Sequence, residues 1–140
     1  MTLAEIEERV RDVLAAEAAV RFALLFGSTV TRGPEAARDV DLAVAFSAPP
    51  PLLEIARLAG ALEDAVGRPV DVIDLGEATT LLRWEALRTG RAVFCRDGDG
   101  LAEFRARVPL EYFDLEPHRV RQSAGLRRTV LGADWSESSS

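Results

Sequence analysis

An apolar run, Val20 to Phe26, ends in Gly27-Ser28; ten residues after the serine, Asp39 and Asp41 open a second run that reaches Phe46. This stretch restricts the fold more than any other in the chain. Both runs have the length of a strand, and the second alternates: Val40, Leu42, Val44 and Phe46 share one face, Asp39 and Asp41 the other. Residues two apart in a strand lie about 6.5–7 Å from each other on the same side. The two carboxylates can therefore converge on the same one or two cations, and their mutual repulsion invites that charge. Between the runs, Ser28 opens a short helical turn that Gly33-Pro34 ends. A strand that stops at glycine and turns into a helix offers backbone N–H groups to phosphate oxygens, with the serine hydroxyl as an added donor. Taken singly, the acids read as a solvated pair and Gly27-Ser28 as a plain turn. Together they set anion donors beside a cation-binding pair, as transfer from a magnesium triphosphate requires.

The remainder supplies elements to build around these two strands. Thr2 to Glu17 reads as a helix, with Thr2 and Glu5 as a capping box and Leu3, Ile6, Val10, Val13 and Leu14 along one face. Three prolines, Pro49 to Pro51, precede a helix over Leu52 to Val66 that Gly67 stops. Pro69 to Leu75 is a third strand. Thr79 or Thr80 caps a helix that runs to Arg88 with Gly90 beyond it, and Arg91 to Cys95 is a fourth strand. The segment Asp97-Gly98-Asp99-Gly100 reads as a turn. Leu101 to about Leu131 reads as helical, interrupted at Pro109 and restarted near Pro117. The expected architecture is α+β: a small mixed sheet of three or four strands covered by helices, with a long C-terminal helical segment. Residues 1–133 make a single domain and 134–140 a disordered tail.

Composition narrows the chemistry. The one cysteine, Cys95, and the one histidine, His118, exclude an internal disulfide and any multi-histidine or C-x-x-C metal site. A metal here must be held by oxygen, which favours magnesium, calcium or manganese. All seventeen basic residues are arginine, so no lysine serves as a Schiff base or a Walker-type phosphate contact. The formal charge of −6 disfavours direct nucleic-acid binding and suits a basic partner. The start of the chain is acidic and amphipathic and no run has the length of a membrane span, so cytoplasmic residence is expected. His118 reads as a helix-surface residue, Cys95 as a buried small hydrophobe, Trp84 and Tyr112 as core or interface, and Arg83, Arg88 and Arg91 as a solvated face.

Gly27-Ser28, ten residues, then Asp39-x-Asp41 resembles the signature of the polymerase-β-like nucleotidyltransferases, of which the small members are called minimal nucleotidyltransferases. VDVIDL at 70–75, LLRWEALRTGRAVF at 81–94 and EYFDLEPHR at 111–119 are similar to one branch, the MntA antitoxins paired with HEPN-domain toxins. The resemblance covers about residues 3–130. The chain departs from the pattern where Ala37-Arg38 precedes the acids in place of Asp-Ser, and where Arg32-Gly33 falls one residue late; both shifts bear on the loop's phosphate contacts.

The resemblance implies a third carboxylate on the neighbouring strand. Asp71 and Asp74 lie there on opposite faces, and spacing does not choose between them; the family pattern picks Asp71. It further implies transfer of AMP from ATP to a tyrosine hydroxyl of a HEPN ribonuclease toxin. Asp39, Asp41 and Asp71 would be the catalytic, metal-holding residues for two Mg2+ ions, and Gly27 and Ser28 the nucleotide-binding ones. The alternatives are a small-molecule nucleotidyltransferase of the aminoglycoside-modifying type and a non-enzymatic antitoxin that acts by binding.

Overall fold

The structure, a computed structural model, describes residues 1–121. Helix α1 (Leu3–Ala15) begins at the Thr2–Glu5 capping box: the Thr2 hydroxyl accepts the Glu5 N–H, and the Glu5 carboxylate accepts the Thr2 N–H. Strand β1 (Val20–Phe26) leads through Gly27 into a single turn, α2 (Ser28–Thr31), and a loop returns the chain as β2 (Val40–Phe46). Helix α3 (Leu52–Val66) ends at Gly67, whose φ of 72° provides the left-handed stop, and β3 (Val70–Asp74) follows. The Thr79 hydroxyl accepts the Leu82 N–H and caps α4 (Thr80–Thr89); β4 (Arg91–Cys95) and α5 (Gly98–Arg121) complete the described chain.

The sheet order is β3-β2-β1-β4. β1 is antiparallel to both neighbours, whereas β2 and β3 are parallel because α3 carries the chain back between them. Each strand therefore divides its residues between two cores. Leu25, Val40, Leu42 and Val44 meet Ile6, Val10 and Leu14 of α1 and Leu58, Leu62 and Val66 of α3. On the other side Leu24, Phe26, Ala43 and Ala45 meet Ala86 of α4 and Leu101 of α5. Each fully buried Leu or Val contributes on the order of 1.5–3 kcal/mol. No helix among the described residues is long and apolar enough to cross a membrane.

The C-terminal segment departs from expectation. Residues 98–100 are the first turn of α5 and not a free turn, and the helix runs through Pro109 and Pro117 without a break. Asp97 makes the start: its Oδ1 accepts the Gly100 N–H at 2.9 Å, while its Oδ2 receives Arg21 of β1 at 2.7 Å. A Cβ at position 100 would strike the Arg21 guanidinium and the Asp97 carboxylate, which explains a glycine that otherwise reads as turn chemistry. The helix survives Pro109, at a local cost of about 3 kcal/mol, because tertiary packing holds both sides of it. Leu101 and Val108 are buried, Phe104 packs against the second core, and Tyr112 stacks on Trp84 of α4 with ring centroids 4.8 Å apart. The expected continuation to Leu131, the tail at 134–140 and His118 lie outside the residues whose side chains are described.

Candidate active site

β1 ends and β2 begins at the same edge of the sheet. Phe26 pairs with Asp41 across the antiparallel ladder, and Asp41 pairs with Asp71 across the parallel one. Phe26, Asp41 and Asp71 thus lie in one row across three strands, and Gly27, next after Phe26, lies against Asp41. Asp39 stands one residue ahead of β2, exposed, on the side that Asp41 faces. Asp41 and Asp71 share the α4–α5 side of the sheet with Ala43 and Ile73, while Val40, Leu42 and Val70 turn to α1 and α3. Asp74, on the opposite side of β3, folds back so that its Oδ1 accepts the Gly76 N–H at 2.9 Å. The parallel register, and not the alternation alone, is what sets Asp71 beside Asp41.

Asp41 is only 6% exposed. Its carboxylate lies against the backbone of Gly27, whose φ is 77°; a Cβ there would collide with Asp41 Oδ2. The glycine is required twice, by the turn into α2 and by the acid pressed against it. The first helical bonds of α2 run from the amides of Val30 and Thr31 to the Gly27 carbonyl, so the amides of Ser28 and Thr29 lie ahead of them at the helix start. Ser28 is buried beneath this turn.

Burial raises the Asp41 carboxyl to about 7, and the charges of Asp71 and then Asp39 add to the effect. A buried acid in this condition is stabilised either by a proton or by a cation. The donors are all oxygen, which suits a hard divalent ion. Among the described residues no three His, Cys, Asp or Glu side chains gather closely enough to hold an ion alone.

Two residues that sequence reasoning passed over hold this edge in place. Thr29, fully buried, donates from its hydroxyl to the Asp39 carbonyl at 3.0 Å. Arg68 donates to the carbonyls of Pro34 and Ala37 at 2.7 and 3.2 Å. Both act on backbone carbonyls, Thr29 ten residues ahead and Arg68 more than thirty behind, which leaves no periodic signal. Of the arginines expected on a solvated face, Arg88 and Arg91 are exposed as expected and Arg83 is partly buried; each has a partner. Arg83 donates to the carbonyls of Leu75 and Gly76 and lies 3.6 Å from Glu111; Arg88 pairs with Glu85 and Arg91 with Glu7. Cys95 is exposed and not buried, because it ends an edge strand. Arg32 and Arg38, on the loop beside the acids, are exposed, and their guanidinium groups have no hydrogen-bond or ion-pair partner among the described residues.

The polymerase β nucleotidyltransferase family model matches residues 8–99, which span β1 through β4 with the Gly27-Ser28 turn and all three acids. The chain belongs to this nucleotidyltransferase family. Among solved structures, this nucleotidyltransferase is similar to a chain of a toxin–antitoxin complex with AMP-PNP. They share 23% identity at a TM-score of 0.72 over 81% of this chain and 91% of that one. It is also similar to a chain in a complex of a tri-AMPylated Shewanella oneidensis HEPN toxin with an MNT antitoxin, at 22% identity and a TM-score of 0.68 over 81% and 89% of the chains. A structure described as a minimal nucleotidyltransferase is 32% identical with a TM-score of 0.57, over 65% of this chain and 95% of that one. No curated protein sequence matches the chain.

Proposed function

We propose that this nucleotidyltransferase is an antitoxin that transfers AMP from ATP to a tyrosine hydroxyl of a cognate HEPN ribonuclease toxin. The observation that carries the reading is the pairing of Asp41 with Asp71 on neighbouring strands, with the Gly27 turn pressed against Asp41 and Asp39 two residues before it. The fold shared with chains of toxin–antitoxin complexes, one of them holding an AMPylated HEPN toxin, supports the partner and the acceptor class.

In this reading Asp39, Asp41 and Asp71 would hold two magnesium ions together with the triphosphate. Magnesium bound there would supply charge neutralisation for the phosphates and for the oxygens that attack and leave. The rest falls to the chain's own groups. The amides at the start of α2, which Gly27 allows the phosphates to approach, orient the β- and γ-phosphates as the leaving pyrophosphate. Asp71, exposed at the outer end of the row, takes the acceptor proton at its carboxylate as the acceptor oxygen bonds to the α-phosphorus. The bond from that phosphorus to the β-phosphate bridging oxygen breaks. A cation held there would require Asp41 as the carboxylate, which would couple ion binding to pH.

The test is an incubation with ATP, magnesium and the co-purified partner, followed by intact mass and peptide mapping. The expected result is added mass in whole AMP units on a tyrosine, with matching pyrophosphate release. Pyrophosphate release without a modified partner, dependent on an added aminoglycoside, would instead indicate the small-molecule reading. Inhibition of the toxin with neither product would indicate a binding-only antitoxin.

A further inference from the structure

Asp39 is exposed, yet the backbone that carries it is fastened on every side. Its own carbonyl accepts the Thr29 hydroxyl at 3.0 Å. The amide after it, Val40 N–H, donates to the Pro69 carbonyl at 2.9 Å. Two residues before it, the Ala37 carbonyl accepts Arg68 Nη1 at 3.2 Å, and the same nitrogen donates to Pro34 at 2.7 Å. Arg68 and Pro69 are adjacent and connect α3 to β3. One two-residue segment therefore grips the loop before Asp39 through a side chain and the strand after it through a carbonyl. Thr29 fixes the point between them.

This grip does not resemble an ordinary surface arginine. The Arg68 guanidinium is partly buried and ends on backbone carbonyls 31 and 34 residues earlier in the chain, not on a carboxylate. A charged donor to neutral carbonyls forms a bond stronger than a neutral pair, and its loss leaves those carbonyls short of a partner. The same segment also begins β3, whose second residue is Asp71. We propose that Arg68 is a positioning residue that sets the Asp39 carboxylate relative to Asp41 and Asp71 by tying the 34–37 loop to the start of β3. The proposal rests on the reading of these acids as a cation-holding set.

Arg68→Ala removes the tie, and Arg68→Lys keeps a charged donor that can satisfy one carbonyl. Mn2+ binding to the full chain with AMP-PNP, followed by water proton relaxation, reports the site without turnover; amide exchange over residues 34–40 reports the loop. The tie predicts Mn2+ affinity weakened about tenfold or more in Arg68→Ala, partly recovered in Arg68→Lys, with faster exchange across the loop. The control is Arg57→Ala, which removes an exposed arginine paired with Glu17 and Glu54 and should leave Mn2+ affinity unchanged. Wild-type Mn2+ affinity in folded Arg68→Ala overturns the positioning role while the cation reading stands. Absence of Mn2+ binding in the wild-type chain overturns that reading, and the positioning role with it. If Arg68→Ala does not fold, Arg68→Lys decides: wild-type Mn2+ affinity with faster loop exchange overturns the proposal, and weakened affinity with a folded chain supports it.

Discussion

At the scale of single residues, Gly27 and Asp41 form one unit. Gly27→Ala adds a Cβ at positive φ and drives it into the Asp41 carboxylate. It should destabilise the fold by about 1–3 kcal/mol and remove transfer activity, measured as a fall in Tm together with lost AMP transfer. Asp41→Asn should lose transfer by orders of magnitude yet behave oppositely in stability. The Asp41 carboxyl titrates near 7 in the folded chain against 3.8 unfolded, so between these values the folded state holds the extra proton. Stability of the metal-free wild type therefore falls as pH rises from about 4 to about 7, by at most about 4 kcal/mol. Asparagine has no such proton, so Asp41→Asn should be the more stable protein at pH 8 and lose its advantage toward pH 4. Thermal melts in chelator at both pH values check this; parallel pH slopes for the two proteins would count against the burial of Asp41. Asp71→Ala should likewise cost orders of magnitude in transfer and Asp74→Ala little, since Asp74 only closes its own turn. Rates for the two variants settle the assignment, and a damaging Asp74→Ala would reverse it. The acids at 39 and 41 were legible because a period of two is local. Spacing could not separate 71 from 74; the family resemblance picked 71, and the parallel register sets it beside Asp41, while Thr29 and Arg68 bond to carbonyls that no spacing announces.

At the scale of elements, local chemistry was a good guide wherever one residue decides a boundary. Thr2, Gly67 and Thr79 each start or stop a helix through a bond or a φ angle confined to one turn. The guide failed at α5, where tertiary contacts overrule composition. Two glycines and two aspartates looked like a turn but serve a cap joined to Arg21, and Pro109 looked like a break but sits in a helix pinned by Val108 and Tyr112. This argues that Pro109 weakens α5 without defining it. Pro109→Ala should restore the bond to the Arg105 carbonyl and raise stability by about 1–3 kcal/mol, with a higher Tm. An unchanged or lower Tm would mean that the helix path around the proline is itself required by the packing. Arg83 illustrates the same limit: it read as a solvent-facing charge but is partly buried and reaches from α4 to the turn after β3, whereas Arg91 is exposed as read and also bridges β4 to α1.

At the scale of the whole molecule, the proposed reaction requires the edge that carries the acids to admit a hydroxyl from outside. Asp39 and Asp71 are exposed and Asp41 is not, so the row is open on its outer side and closed toward the core. The chain bears a formal charge of −6, and a ribonuclease must present a basic surface to RNA, so the two proteins of the proposed pair are matched for long-range attraction. An acceptor tyrosine would have to come within about 3–3.5 Å of the α-phosphorus for in-line attack, which an extended segment of the partner can do at an open edge. Each AMP added in the proposed reaction would leave a negatively charged phosphodiester on the toxin. Close to a basic RNA-binding surface, that charge would oppose the phosphate backbone and the nucleoside would obstruct its path. Inhibition should therefore outlast the complex. Toxin incubated with this chain, ATP and magnesium, then separated under mild denaturation and refolded, should remain inactive and carry whole AMP units on tyrosine. Toxin incubated with the Asp41→Asn variant should regain full ribonuclease activity on separation, because binding is intact and transfer is not. Raised salt during the incubation should slow modification by weakening the charge-steered encounter. Recovery of full ribonuclease activity from the wild-type incubation, with no added mass, would show that the chain silences its partner by contact alone.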